Sequence, residues 1–171
     1  VGAGTGRLTL PLCSRYNKAQ VAAVDFSRAM LEELKTKLNG FSRPPSLEMA
    51  DAQALPFSDR GFDLVTASRV LMHVGDWRAA LEEWLRVCGE WLAFDFPARW
   101  SSGGAGHGLR KFSRGGEAGF ESYRTLRLGE VQSFLEERGF VVAHWRKSFL
   151  LPIPVHRKIG RPAFSMALEA P

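Results

Sequence analysis

Short apolar runs alternate with capped amphipathic helices along this chain, and that alternation restricts the fold more than any other feature. "QVAAVDF" (20–26) is a brief apolar run ending in an acid, the pattern of a fully buried strand. Ser27 then supplies an N-cap for "RAMLEELKTKL", where Met30, Leu31, Leu34 and Leu38 share one face, Glu33 can pair with Lys37, and Asn39-Gly40 ends the helix. "SLEMADAQALPF" (46–57) offers a strand at Leu47–Ala50 followed by a loop. "FDLVTAS" (62–68) reads as a second buried strand, introduced by the turn Asp59-Arg60-Gly61. Asp76 caps "WRAALEEWLRVC", whose apolar face carries Trp77, Leu81, Trp84, Leu85 and Cys88, and Gly89 leads into the strand "EWLAFDF". Upstream, Leu8, Leu10 and Leu12 predict a short helix that Pro11 confines or kinks. Parallel strands joined by crossover helices satisfy this order, so the expected class is α/β.

The pattern dissolves over 97–122, "PARWSSGGAGHGLRKFSRGGEAGFES", which reads as one long glycine-rich, basic loop. It resumes with the helix "LGEVQSFLEERGF", stopped by Gly139, then the strand "FVVAHWRKSFLL" and a last helix in "RPAFSMALEAP". With 171 residues, 45% of them hydrophobic, a single domain over 1–171 is expected. The net charge of +5 comes from cations scattered among acids, which favours a solvated basic surface over a nucleic-acid site. Cys13 and Cys88 stand alone, without metal or disulfide spacing, and suit a reducing cytoplasm. No apolar run approaches the ~18 residues of a membrane span.

"GAGTG" places Gly2, Gly4 and Gly6 at alternate positions of a strand-to-helix turn, where positive φ and close ligand approach both exclude side chains. Alone it is a weak signal, since many turns are glycine-rich merely to turn. Asp25 strengthens it: about 20 residues further on, an acid at a strand end accepts from ribose hydroxyls in nucleotide-binding βαβ units. An acid in that place has little structural reason to be there. The spacing is GxGxG rather than GxGxxG, so the expected ligand carries ribose without a pyrophosphate.

At these residues the chain resembles the class I S-adenosylmethionine-dependent methyltransferases, particularly the small-molecule group called type 11. The matching pieces are "VGAGTG", "VAAVDFSRAML", "MADAQALPF", "FDLVTASRVLMHV" and "LEERGF", in order, up to about Phe149. The resemblance implies a Rossmann-like three-layer fold with a mostly parallel sheet of order 3-2-1-4-5-7-6. It also implies S-adenosylmethionine as cofactor, a small-molecule acceptor and no metal. Gly2, Gly4 and Gly6 would pass under the methionine part and Asp25 would hold the ribose. Phe26 and Met30 would line the adenine pocket, Asp51 would accept from the adenine amino group, and Ala52 would offer its backbone N–H. Ser68 falls where the family uses backbone near the transferred methyl. Structural alternatives stay open: Met30 as core, Ser68 as a strand cap, Asp51 as a turn acid.

Methyl transfer is an in-line displacement for which the cofactor supplies the electrophile, so the protein aligns the acceptor and excludes water. A base is needed only where the acceptor must lose a proton, and His73, just past Ser68, is the candidate, with a packed histidine as the plainer alternative. Arg69 could face cofactor or acceptor. The 97–122 loop is expected to cover the acceptor, with Arg99, Arg110, Lys111 and Arg114 available to an anion. Against the family order, the strand before "VGAGTG" and the last strand are missing, so a fragment of a longer protein is expected. The rival functions are an NAD-dependent oxidoreductase and a fragment without cofactor binding.

Overall fold

A computed structural model describes residues 1–98 and 124–146, which fall in two compact units, Val1–Asp95 and Phe96–Pro171. The helix read at 161–171 and most of the glycine-rich loop, with Arg99, His107, Arg110, Lys111 and Arg114, lie outside the described residues.

The first unit runs α1 (Thr9–Arg15), β1 (Ala22–Asp25), α2 (Arg28–Lys37), β2 (Ser46–Met49), β3 (Phe62–Ala67), α3 (Trp77–Val87) and β4 (Cys88–Phe94). Pro11 sits in the first turn of α1, where an amide has no intrahelical acceptor, so it neither breaks nor shortens the helix. α2 begins and ends as its sequence predicts. The Ser27 hydroxyl accepts from the Met30 amide at 3.4 Å, Glu33 pairs with Lys37 at 2.7 Å, and Gly40 takes φ +94° just beyond the end. The Asp76 carboxylate accepts from the Arg78 and Ala79 amides at 2.9 and 3.4 Å and starts α3.

β1 pairs with β2 and β3 with β4, both in parallel, and each pair carries the helix that connects its strands: α2 packs on the first and α3 on the second. Apolar positions at helical spacing seat them. Leu34 and Leu38 of α2 close on Ala23, with Ala3, Leu10, Phe41 and Leu47 around them. Trp77, Ala80, Leu81, Trp84 and Leu85 form the buried face of α3, and the Trp84 ring meets Phe94 edge-on at 6.1 Å. Between the two strand pairs lie Val1–Ala3. The Ala3 amide donates to the Val24 carbonyl of β1 at 2.8 Å, and the Val1 amine donates to the Thr66 carbonyl of β3 at 2.6 Å.

Three expectations change. β3 is not buried on both faces: Val65 and Ala67 face the core, while Leu64 and its register partner Trp91 are 48% and 61% exposed. β4 starts directly at the end of α3, with Gly89 inside it rather than before it. A Cβ at Gly89 would stand 3.3 Å from the Phe62 carbonyl oxygen, beside the irregular register at Phe62/Leu64, so only glycine fits there without a shift. In the second unit, the described part of the expected strand, Phe140–Arg146, has no strand conformation. Among the described residues no strand pairs with it, and an unpaired segment has no ladder to hold it extended. That unit does contain the expected helix, α4 (Leu128–Glu136), which buries Val131, Phe134 and Leu135 and is followed, after its cap at Glu137, by Gly139 with φ +80°. Before α4, the Leu126 amide donates to the Pro97 carbonyl at 3.0 Å.

Among the described residues no helix is long and apolar enough to cross a membrane. Among the same residues no group of three or more His, Cys, Asp or Glu side chains could hold a metal ion.

Candidate functional site at the strand ends

The carboxyl ends of β1, β2 and β3 and the glycine loop meet in the first unit, the place where open α/β sheets bind ligands. Gly2, Gly4 and Gly6 all have positive φ, at +65°, +52° and +99°. Their reasons differ. A Cβ on Gly2 would stand 2.2 Å from Val70 Cγ2, and one on Gly6 would stand 2.6 Å from Leu34 Cδ1, so both are glycine because the protein itself presses on them. A Cβ on Gly4 would meet nothing within 4 Å among the described residues. Bare backbone facing open space is what a ligand needs for close approach, and this observation fits a cofactor lying over Gly4.

Asp25 ties the loop to the strand end. Its Oδ2 accepts from the Gly4 amide at 2.7 Å and its Oδ1 accepts from the Ser27 amide at 2.9 Å. The sequence left this acid without a structural task; the structure supplies one, orienting both the glycine loop and the start of α2. Each carboxylate oxygen retains a further acceptor site for hydroxyl groups. The carbonyl of Thr5, next in the loop, accepts from Lys37 Nζ at 3.1 Å.

Phe26 is 77% exposed and Met30 is 44% exposed, so Met30 is not core, and Met49, the register partner of Asp25, is exposed beside them on β2. Large apolar side chains at the mouth of a site suit the face of a flat ring. Asp51 follows β2, which the Ala50 amide joins to the Asp25 carbonyl at 3.2 Å. Its exposed carboxylate accepts from the Gln53 amide at 2.9 Å, a turn-forming bond, and the Ala54 amide closes the same turn on the Asp51 carbonyl at 3.0 Å. The turn role is thus present, and the carboxylate stays exposed. Ala52 is held by its carbonyl, which accepts from Trp84 Nε1 at 2.9 Å.

Ser68 lies one residue past β3, and its hydroxyl donates to Asp95 Oδ2 at 2.9 Å, while Asp95 Oδ1 accepts from the Arg69 amide. Arg69 takes φ +61°, uncommon for a side chain of that size, and the Asp95 bond holds it. Asp95 was not among the residues singled out in the sequence. The signal was present: "LAFDF" ends an apolar strand in an acid just as "VAAVDF" does. His73 is exposed in the turn after β3, and its amide donates to the Val70 carbonyl at 2.8 Å.

Gly4→Ala therefore separates fold from ligand. Its strain should cost about 1–2 kcal/mol, with no clash among the described residues, whereas a methyl group in the open space should cut S-adenosylhomocysteine affinity by more than ~10-fold. Parallel loss of melting temperature and affinity, as Gly6→Ala would give, would contradict the placement.

The chain matches the family model described as "Methyltransferase domain" over residues 1–90. It is 41% identical over 87 residues to the malonyl-(acyl-carrier protein) O-methyltransferase of Halorhodospira halophila, covering 51% of this chain and 29% of that protein. It is 39% identical over 84 residues to the ubiquinone/menaquinone biosynthesis C-methyltransferase UbiE of Desulfotalea psychrophila, covering 49% of this chain and 33% of that protein. The match thus spans about a third of the length of these relatives. In fold it is similar to the magnesium protoporphyrin IX methyltransferase of Synechocystis with bound SAH, with a TM-score of 0.70 at 20% identity over 87% of this chain and 66% of that one.

Proposed function

Because the chain belongs to the methyltransferase domain family, with the Rossmann-like α/β fold of class I S-adenosylmethionine-dependent methyltransferases, we propose that it transfers a methyl group from S-adenosylmethionine to a small-molecule acceptor. The observation that carries this reading is the bond from the Gly4 amide to Asp25, beside the open space over Gly4. It joins a bare-backbone loop to an acid with acceptor capacity to spare. The two named relatives are O- and C-methyltransferases, yet each matches about half of the chain, and the family model falls on residues 1–90, which supports a shared cofactor half and an acceptor chosen elsewhere.

When bound, the sulfonium of the cofactor supplies an electrophilic methyl group. The chain's own residues do the rest. The Gly4 backbone gives close approach, in a loop whose turn Gly2 and Gly6 make possible, Asp25 accepts from the ribose hydroxyls, and Phe26 and Met30 cover the adenine ring. Asp51 accepts from the adenine amino group and the Ala52 amide donates to a ring nitrogen. Ser68, held by Asp95, lines the path to the acceptor, and His73 takes a proton where the acceptor must lose one. The alternative, a nicotinamide oxidoreductase, has no support in the relatives. The reading places the protein in a reducing cytoplasm, in keeping with Cys13 and Cys88, free buried thiols whose pKa desolvation pushes up, away from reactivity.

Ultraviolet cross-linking of S-adenosylmethionine carrying a tritiated methyl group tests this. Labelling of the chain that excess S-adenosylhomocysteine removes and excess NAD leaves is the expected result. Displacement by NAD alone would overturn it in favour of the oxidoreductase.

A further inference from the structure

The loop that carries Asp51 is held less by its own backbone than by α3, which reaches it at several points. Trp84, with no exposed surface, donates its indole N–H to the Ala52 carbonyl at 2.9 Å. At Leu55 the amide donates to Glu83 Oε1 at 2.7 Å, and the carbonyl accepts from Arg86 Nη2 at 3.1 Å. The Arg86 guanidinium continues along the loop, donating from Nη1 to the Phe57 carbonyl at 2.8 Å and to Asp59 Oδ1 at 2.6 Å. Glu83 in turn takes Arg86 Nε on Oε2 at 2.8 Å and Nη2 on Oε1 at 2.7 Å, a two-bond pairing that fixes the plane of the guanidinium. Those bonds hold the Glu83 carboxyl below the usual carboxylate range despite its burial.

Gln53 completes the link to the site. Its Oε1 accepts from the Asp76 amide at the start of α3 at 3.1 Å, and its Nε2 donates to both Asp51 oxygens, each at a long 3.4 Å. With the bond from its own amide, Gln53 spans the gap between α3 and the Asp51 carboxylate, which is otherwise exposed. An exposed loop carboxylate rotates freely unless something stops it, and here Gln53 does, its side chain tied in turn to the start of α3.

We propose that Gln53, Trp84 and the Glu83–Arg86 pair are positioning residues that hold the 51–59 loop on α3, and that their rigidity makes the site select adenine over a purine bearing a carbonyl at the same position. The proposal rests on the assignment of Asp51 to the adenine amino group under Proposed function. A fixed carboxylate accepts from an exocyclic amino group and repels a carbonyl oxygen in its place, whereas a carboxylate free to turn aside tolerates both.

The full chain is titrated calorimetrically with S-adenosylhomocysteine and with its deaminated analogue, S-inosylhomocysteine. The native chain should prefer the adenine ligand by more than ~30-fold, and Gln53→Ala, which removes no buried group, should bring that ratio below ~5-fold with little change in melting temperature. Arg86→Lys, which keeps the charge and loses the forked pairing, and Trp84→Phe, which keeps a ring and loses the N–H, should lower the ratio in the same direction. A merely structural role would weaken both ligands by one factor, so an unchanged ratio in Gln53→Ala and Arg86→Lys overturns the proposal, even where absolute affinity falls. A native chain that binds neither ligand would instead contradict the proposed function, and one that binds both equally would contradict the Asp51 assignment.

Discussion

Asp25→Ala should lower S-adenosylhomocysteine affinity by at least ~100-fold, the largest binding effect of any single substitution in the site. Two losses combine. The bonds to the Gly4 and Ser27 amides disappear, so the glycine loop loses its fixed relation to the start of α2, and the acceptor proposed for the ribose hydroxyls goes with them. A hydrogen bond to a charged group is worth about 1.5–3 kcal/mol, so either loss alone accounts for roughly ten- to hundred-fold. Asp25→Asn separates the two: one amide oxygen still accepts, but the side-chain NH₂ cannot accept from the second backbone amide. Its affinity should fall between the native chain and Asp25→Ala. Calorimetry on the three proteins, each well below its melting temperature, decides the matter, and equal affinity in all three would remove Asp25 from the site.

Gly6→Ala should produce the largest stability loss. The position combines φ +99° with a Cβ that would stand 2.6 Å from Leu34 Cδ1 and 3.0 Å from Leu10 Cγ. Leu34 has no exposed surface and sits at the centre of the cluster between α2 and β1, so it has nowhere to withdraw. Backbone strain of about 1–3 kcal/mol and overpacking of a similar ~1–3 kcal/mol add to a loss on the order of 2–6 kcal/mol. For a chain of this size that lowers the melting temperature by on the order of 10 °C. Leu34→Ala in the same chain should relieve part of the clash, so the double variant should be less destabilised than the sum of the singles. Additive losses would show that the strain lies in the backbone alone.

Local signals carried most of the first unit. Ser27 and Asp76 are N-caps in fact as in sequence, Gly40 ends α2, and the apolar faces of α2 and α3 follow helical spacing because burial selects for it. What one strand does for its neighbour was harder to see. The exposure of Leu64 and Trp91 depends on what covers that face of the sheet, and Phe140–Arg146 has strand-forming side chains but no described partner, so its propensity decides nothing. In the site, the glycines and Asp25 were legible as a pattern, but their reasons were not. Packing alone separates Gly4, open on its Cβ side, from Gly2 and Gly6, pressed by Val70 and Leu34. Gln53, Trp84 and Arg86, the proposed positioning residues, were invisible in the sequence because they act from 27 or more positions away or through side-chain amides that no motif requires.

Calorimetric titration of the native chain with S-adenosylhomocysteine, alongside NAD, tests the central claim most directly. One binding site for S-adenosylhomocysteine, with no heat from NAD at the same concentrations, is the predicted result. Heat from NAD and none from S-adenosylhomocysteine would contradict it.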